Sequence, residues 1–172
     1  MSRIGREPVT IPAGVTITTD NGILTVKGPK GTLTQDYDAS CISFNIEGAV
    51  ATVVRAKHGL YRALLNNMVV GVTAGYAKTL VVNGVGWKVA KSGNKVTLNI
   101  GFSHPVEITE TDDVKLECPA INEIVVSGID KAKVGQYAAT VRSLREPEPY
   151  HGYGIAYKGE VIERKEGKTA GK

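Results

Sequence analysis

Lys57-His-Gly-Leu-Tyr-Arg-Ala-Leu-Leu-Asn-Asn-Met68 and Lys133-Val-Gly-Gln-Tyr-Ala-Ala-Thr-Val-Arg-Ser-Leu144 align without a gap. Lys, Gly, Tyr and Ala recur at the same offsets, and Leu65/Val141 and Met68/Leu144 match in character. Both stretches space their apolar residues as an amphipathic helix does. The expected faces are Leu60, Leu64 and Met68 in the first, and Val134, Tyr137, Ala138 and Val141 in the second. Asp130 is placed to cap the second helix and Pro147 to end it.

Working outward, each helix follows strand pairs. Val15–Thr19 and Ile23–Lys27 flank Asp20-Asn21-Gly22, an Asn-Gly hairpin signal. Ile42–Ile46 and Ala49–Val54 flank Glu47-Gly48. In the second half Trp87–Lys91 and Lys95–Ile100 repeat the first hairpin around Ser92-Gly93-Asn94, and Val114–Glu117 and Glu123–Ser127 repeat the second. Val72-Thr-Ala-Gly-Tyr76 ends the first helix, and the strand Thr79–Asn83 opens the second half. The expected fold is α+β: two tandem duplicated domains, each an antiparallel sheet of two hairpins with a packed helix. The boundary falls near Val81, giving an N-terminal repeat over 1–81 and a C-terminal repeat over 82–172.

The chain has 172 residues, of which 42% are hydrophobic, enough for two small cores. A formal charge of +4 permits a nucleic-acid partner without demanding one. Charge is uneven: Glu107, Glu110, Asp112, Asp113, Glu117 and Glu123 stand against Lys115 alone, which reads as an arm facing solvent or a protein. Cys41 and Cys118 have no Cys or His neighbours at ligand spacing, so no metal is expected. Met1-Ser-Arg-Ile-Gly-Arg-Glu-Pro8 lacks the apolar core of a secretion signal, and no apolar run approaches the roughly 18 residues of a membrane span. The expectation is a soluble cytoplasmic protein with no cofactor, no membrane association and no small-molecule substrate.

Catalytic signals are weak. His58, His104 and His151 sit in different elements, away from any cysteine, so no triad is legible and no catalytic residue is expected. Gly84-Val-Gly86 and Gly28-Pro-Lys-Gly31 lack the spacing of a phosphate loop and read as turns. Asp112-Asp113 reads as a solvated loop.

The remaining polar chemistry is cationic and aromatic. Pro147-Glu-Pro-Tyr-His-Gly-Tyr-Gly-Ile-Ala-Tyr157 alternates tyrosines with glycines and reads as too Gly-rich for an ordinary strand. A basic tail follows, with Lys158, Arg164, Lys165, Lys168 and Lys172. Arg142 and Arg145 lie on the exposed side of the second helix, Trp87 and Lys88 in a Gly-flanked strand, and Arg3 and Arg6 at the N-terminus. Aromatic faces and cations together suit RNA, with Gly152 and Gly154 allowing the backbone close to phosphates.

Several pieces in order carry a resemblance. They are Met1-Ser-Arg-Ile-Gly5, Thr25-Val-Lys-Gly-Pro-Lys-Gly31, Leu65-Asn-Asn-Met-Val-Val-Gly-Val72, Gly84-Val-Gly86, Gly101-Phe-Ser-His-Pro-Val106, Pro147-Glu-Pro-Tyr150 with Gly152, Gly154, Ile155 and Tyr157, and Arg164-Lys-Glu-Gly-Lys168. Over essentially its whole length the chain resembles the bacterial large-subunit ribosomal proteins of the L-six family. The resemblance implies two similar α+β domains and no catalysis. It also implies binding to large-subunit rRNA near the sarcin–ricin loop, beside neighbouring ribosomal proteins and the docking region of translational GTPases. The expected rRNA contacts are Trp87, Lys88, His104, Arg142, Arg145, Tyr150, His151, Gly152, Tyr153, Gly154, Tyr157, Lys158, Arg164, Lys165 and Lys168. One departure stands out: the family signature usually reads Tyr-Lys-Gly-Lys-Gly and then Gly-Ile-Arg-Tyr, whereas this chain has His151, Tyr153 and Ala156 in place of the three cations. The tail is expected to order on binding. Two other readings compete: a protein–protein scaffold docking through sheet edges and the acidic 107–123 arm, and a small hydrolase using His104 or Cys118.

Overall fold

The structure is a computed structural model that describes residues 3–55 and 57–168. Met1, Ser2, Gly171 and Lys172 lie outside the described residues. The first half contains a helical turn α1 (Arg3–Arg6), strands β1 (Val9–Thr10), β2 (Thr16–Asp20), β3 (Ile23–Gly28), β4 (Gly31–Asp36), β5 (Ile42–Glu47) and β6 (Val50–Arg55), and helix α2 (His58–Thr73). The second half contains β7 (Tyr76–Asn83), β8 (Lys88–Ser92), β9 (Lys95–Asn99), β10 (Val106–Thr109), β11 (Val114–Ala120) and β12 (Glu123–Gly128), then helix α3 (Lys131–Ser143) and β13 (Gly154–Tyr157). The chain forms two compact units: the described residues up to Tyr76 with Ile129–Lys131, and Ala77–Gly128 with Ala132 onward.

The two halves repeat one plan. A leading strand, a three-stranded meander, a second hairpin and one helix occur in the same order in each. In the first unit the strands form sheets ordered β2-β3-β4 and β1-β6-β5. In the second they form β10-β9-β8 and β11-β12-β7-β13. Each hairpin that the sequence predicts is present. Asn21, with φ 48°, takes the left-handed conformation that joins β2 to β3.

Strands β4 and β10 are additions to the sequence reading. Gly28-Pro-Lys-Gly31 is the turn into β4, whose Gly31 pairs with Gly28 and Leu33 with Val26. β4 is rich in Thr and Gln and only half faces the core, so its period-2 signal is faint. β10 occupies the start of the acid-rich stretch, which corrects the expectation of an arm. Residues 107–123 are largely strand, and the side chain of Glu110 is only 7% exposed.

The helices bury one stripe each. In α2 that stripe is Leu65, Met68, Val69 and Val72, not the face of Leu60 and Leu64; Leu60 is exposed. The i, i+3, i+4, i+7 spacing of the buried set gives a continuous face against Leu24, Val26, Ala51 and Val53. In α3 the expected face holds, with Val134, Ala138 and Val141 buried. The second unit buries Leu80, Val82, Val89, Val96, Leu98, Leu116, Ile124, Val126 and Ile155. Among the described residues no helix is long and apolar enough to cross a membrane.

Candidate nucleic-acid interface

After α3 the chain turns through Leu144–Tyr153 before entering β13. Two backbone hydrogen bonds close this loop: Ile155 N–H donates to Arg145 O at 2.8 Å, and Glu148 N–H donates to Tyr153 O at 2.9 Å. Prolines 147 and 149 suit a loop whose own N–H groups at those positions are not needed. Tyr150, His151 and Tyr153 are left exposed on it. The following tail lies along the loop, with Lys165 N–H donating to Pro149 O at 2.8 Å.

The Gly-rich stretch, too rich in glycine on sequence grounds for an ordinary strand, does form one, which corrects that expectation. Gly154–Tyr157 is β13, paired antiparallel to β7 with Ile155 opposite Val82. Ile155 and Ala156 enter the core. Gly154 is buried, and a Cβ there would lie 2.4 Å from the Cα of Pro147. Its missing side chain therefore serves close packing of loop on strand, which corrects its expected role in approaching phosphate. Ala156 is buried beside it, 4% exposed.

The exposed side of this loop faces a cleft of about 510 Å³ lined by Val82, Asn83, Gly84, Val85, Trp87, Asn122, His151, Gly152, Tyr153 and Arg164. Trp87 packs on Gly84, where a Cβ would come within 2.2 Å of the indole. That contact explains Gly84 better than a turn requirement alone. The guanidinium carbon of Arg145 lies 5.8 Å from the Trp87 ring centroid and 5.1 Å from that of Phe102. This is cation–π range, and it holds the charge in one place without neutralising it. Phe102 in turn stacks on His104, with centroids 6.1 Å apart and planes 15° apart. His151 and Tyr153 form a second stack at 5.3 Å and 14°. His151 Nδ1 also lies 3.4 Å from the Glu148 carboxylate.

Cations in this unit divide into two groups. Arg142 donates two hydrogen bonds to Glu160, at 3.1 and 2.6 Å, and Glu160 also accepts from Tyr157 N–H at 2.8 Å. The Arg142 contacts, then the Tyr157 amide, hold the Glu160 carboxyl below the usual glutamate value; the same pairing raises Arg142. Lys158 pairs with Glu123 at 3.1 Å, Lys95 with Glu107 at 3.1 Å, Lys133 with Asp113 at 2.7 Å, and Lys91 with Glu110 at 2.6 Å. Hydrogen bonds from Lys91 and from Leu116 N–H lower the Glu110 carboxyl. By contrast Lys88, Arg145, Arg164, Lys165 and Lys168 make no ion pair among the described residues.

The structure thus gathers Trp87, His104, Arg145, His151, Gly152, Tyr153 and Arg164 around one aromatic, unneutralised surface. Tyr150 stands exposed on the same loop, and Lys88, Lys165 and Lys168 are solvent-facing. Arg142, Tyr157 and Lys158 are engaged within the protein; Tyr157 is faced by Arg142 and Lys78 at 5.9 and 5.6 Å. Sequence reasoning missed Asn83, Val85, Phe102 and Asn122. Phe102 had a signal, an aromatic residue one position after Gly101 and two before His104. Asn122, in the β11–β12 turn, had none.

A hydrolytic site finds no support here. Burial raises the Cys118 thiol, which disfavours the thiolate a nucleophile needs. His104 stacks on Phe102, and among the described residues no carboxylate pairs with its ring to orient it as a base. Among the described residues no three potential metal ligands gather.

Comparison with known proteins follows the duplication. The family described as ribosomal protein L6 matches the chain twice, over residues 11–75 and 83–158. The chain is 51% identical to the large ribosomal subunit protein uL6 of Exiguobacterium sibiricum, across 98% of this chain and 99% of the relative. It is 49% identical to the protein of the same name from Carboxydothermus hydrogenoformans, across 100% and 98% respectively. A Clostridium perfringens protein, also named large ribosomal subunit protein uL6, is 51% identical across 98% of this chain and 99% of the relative.

Proposed function

Because the chain belongs to the ribosomal protein L6 family, we propose that it is a structural, non-catalytic constituent of the large subunit of the cytoplasmic ribosome. Its C-terminal repeat holds large-subunit rRNA, and its N-terminal repeat completes the scaffold. The rRNA contact lies near the sarcin–ricin loop, among neighbouring ribosomal proteins and close to where translational GTPases dock; this placement rests on the family resemblance.

One observation carries the RNA contact: among the described residues Arg145 and Arg164 have no carboxylate partner, and they stand beside Trp87, Phe102 and the His151–Tyr153 stack. Unpaired guanidinium groups neutralise phosphates and release counterions. Exposed rings accept bases. Lys88, Lys165 and Lys168 are exposed and add positive charge to the unit, Lys165 next to the loop, and Tyr150 and Gly152 contribute shape on the loop. The scaffold reading through the acidic 107–123 stretch is disfavoured, since Glu107, Glu110, Asp113 and Glu123 each meet a lysine of the same unit.

Binding of the purified chain to large-subunit rRNA from its own organism, with hydroxyl-radical footprinting, tests the proposal. Protection at the sarcin–ricin region is expected, and Arg145→Ala should weaken binding and lower the salt slope by about one unit. Absence of rRNA binding would overturn the reading; protection confined to another rRNA region would overturn the placement.

A further inference from the structure

The cleft beside the loop offers more than phosphate pairing. We infer that it is a receptor for one unpaired nucleotide of the partner RNA, whose base stacks on Tyr153 and is hydrogen-bonded by Asn83 and Asn122 while Arg164 holds its phosphate. This rests on the RNA-binding reading above and assigns that surface a defined ligand class.

Size comes first. About 510 Å³ lies within the range of roughly 300–1,000 Å³ typical of small-ligand sites, ample for a base and its ribose. Chemistry comes second. Asn83 and Asn122 line the cleft, and among the described residues neither side-chain amide has a hydrogen-bond partner. An amide offers donors and an acceptor together, the combination that matches the edge of a base and that a bare phosphate does not use. Aromatic placement is third. Positions 151 and 153 carry two rings stacked at 5.3 Å on the loop beside the cleft. His151 covers one side of Tyr153, holding its plane, and Tyr153 remains 38% exposed.

Paired RNA keeps its base faces stacked on one another and hides their major-groove edges in a deep, narrow groove that side chains do not enter. A base that stacks on a protein ring and meets two amides must therefore come from a bulge, loop or end. Arg164 closes the design: its guanidinium lies against Gly152, within 3.4 Å of where a Cβ would be, and it has no carboxylate partner among the described residues. Gly152 itself takes φ 75°, the left-handed conformation that favours glycine, and Arg164 lies in ordinary contact with it at the cleft wall.

The test compares wild-type chain with Tyr153→Phe, Tyr153→Ala, Tyr153→Lys and Asn122→Ala against large-subunit rRNA. Equilibrium binding is measured across a salt series, and dimethyl sulfate probes exposed base edges. Tyr153→Ala should lower affinity by about 5–150-fold, the range for losing one base stack, with an unchanged salt slope. Tyr153→Phe should bind as wild type. One unpaired base protected in the wild-type complex should regain reactivity with both Tyr153→Ala and Asn122→Ala. Thermal unfolding of each variant separates a lost contact from a lost fold. Unchanged affinity in Tyr153→Ala, tighter binding by Tyr153→Lys, or no protected base would overturn the receptor while leaving rRNA binding intact. A wild-type chain that ignores rRNA would remove both readings.

Discussion

The acid-rich stretch 107–123 and the loop 145–155 belong to the same unit and treat charge in opposite ways. In the first, each of Lys91, Lys95, Lys133 and Lys158 is answered by a carboxylate at 3.1 Å or less. At the second, Arg145 rests on two aromatic rings and Arg164, reaching in from the tail, on Gly152, and neither meets a carboxylate among the described residues. A cation answered by an acid has little left for phosphate; a cation held by a ring keeps its full charge and is already positioned. Binding capacity is therefore set by what each cation touches, and the net charge of the segment is a poor guide to it.

The largest expected effect comes from the tail. Ending the chain at Glu160 removes Arg164, Lys165, Lys168 and Lys172 and should lower rRNA affinity at least roughly a hundredfold near 0.1 M salt, with a salt slope smaller by about three units. Its thermal unfolding should be unchanged. Ending it at Tyr157 instead also removes Glu160, which holds Arg142 and the Tyr157 N–H, so this shorter chain should melt earlier. Equal melting of the two truncations would break the claim that Arg142 is a structural cation.

A smaller effect is expected from Glu160→Gln, about 1 kcal/mol of stability at neutral pH, because the pair is only partly screened from water. Its pH dependence has a defined sign. The folded state holds the Glu160 carboxyl below its ordinary value of 4.5, so the native protein binds fewer protons there than the unfolded chain. The contribution is complete above about that value and is lost as pH falls through the lower folded value. Denaturant unfolding of both proteins from neutral to acid pH should show their difference closing on the acid side. A gap that widened on acidification would contradict the pairing.

The smallest effect sharpens the comparison from the other side. Lys95→Ala should change stability by less than about 0.5 kcal/mol, since both members of its pair with Glu107 are more than half exposed. It should leave rRNA affinity and salt slope untouched. A slope smaller by one unit would show that an acid-paired lysine still reaches phosphate.

Much of the fold was legible. The hairpin turns, the recurrence of one helix after two hairpins, and the inward face of α3 follow from local periodicity and turn chemistry. The face of α2 was not legible, because Leu60, Leu64 and Leu65 offer competing stripes, and the packed sheet chose the one through Leu65, Met68, Val69 and Val72. β13 was hidden by its glycines: Gly154 reads as a breaker until Pro147 is seen packed against it. In the candidate interface, Trp87, Arg145, His151, Tyr153 and Arg164 were readable as residue types. Their convergence was not, since they come from the residue before β8, the loop after α3 and the tail.

By itself the sequence determined the duplicated α+β plan and the supply of rings and cations, because hydrophobic period, turn residues and composition are local properties of the chain. Only the tertiary structure decided which cations are neutralised and which remain available. That depends on distances of a few ångströms between residues far apart in sequence, such as Lys158 with Glu123 or Arg145 with Trp87, and such distances exist only once the strands have paired and the helix has packed.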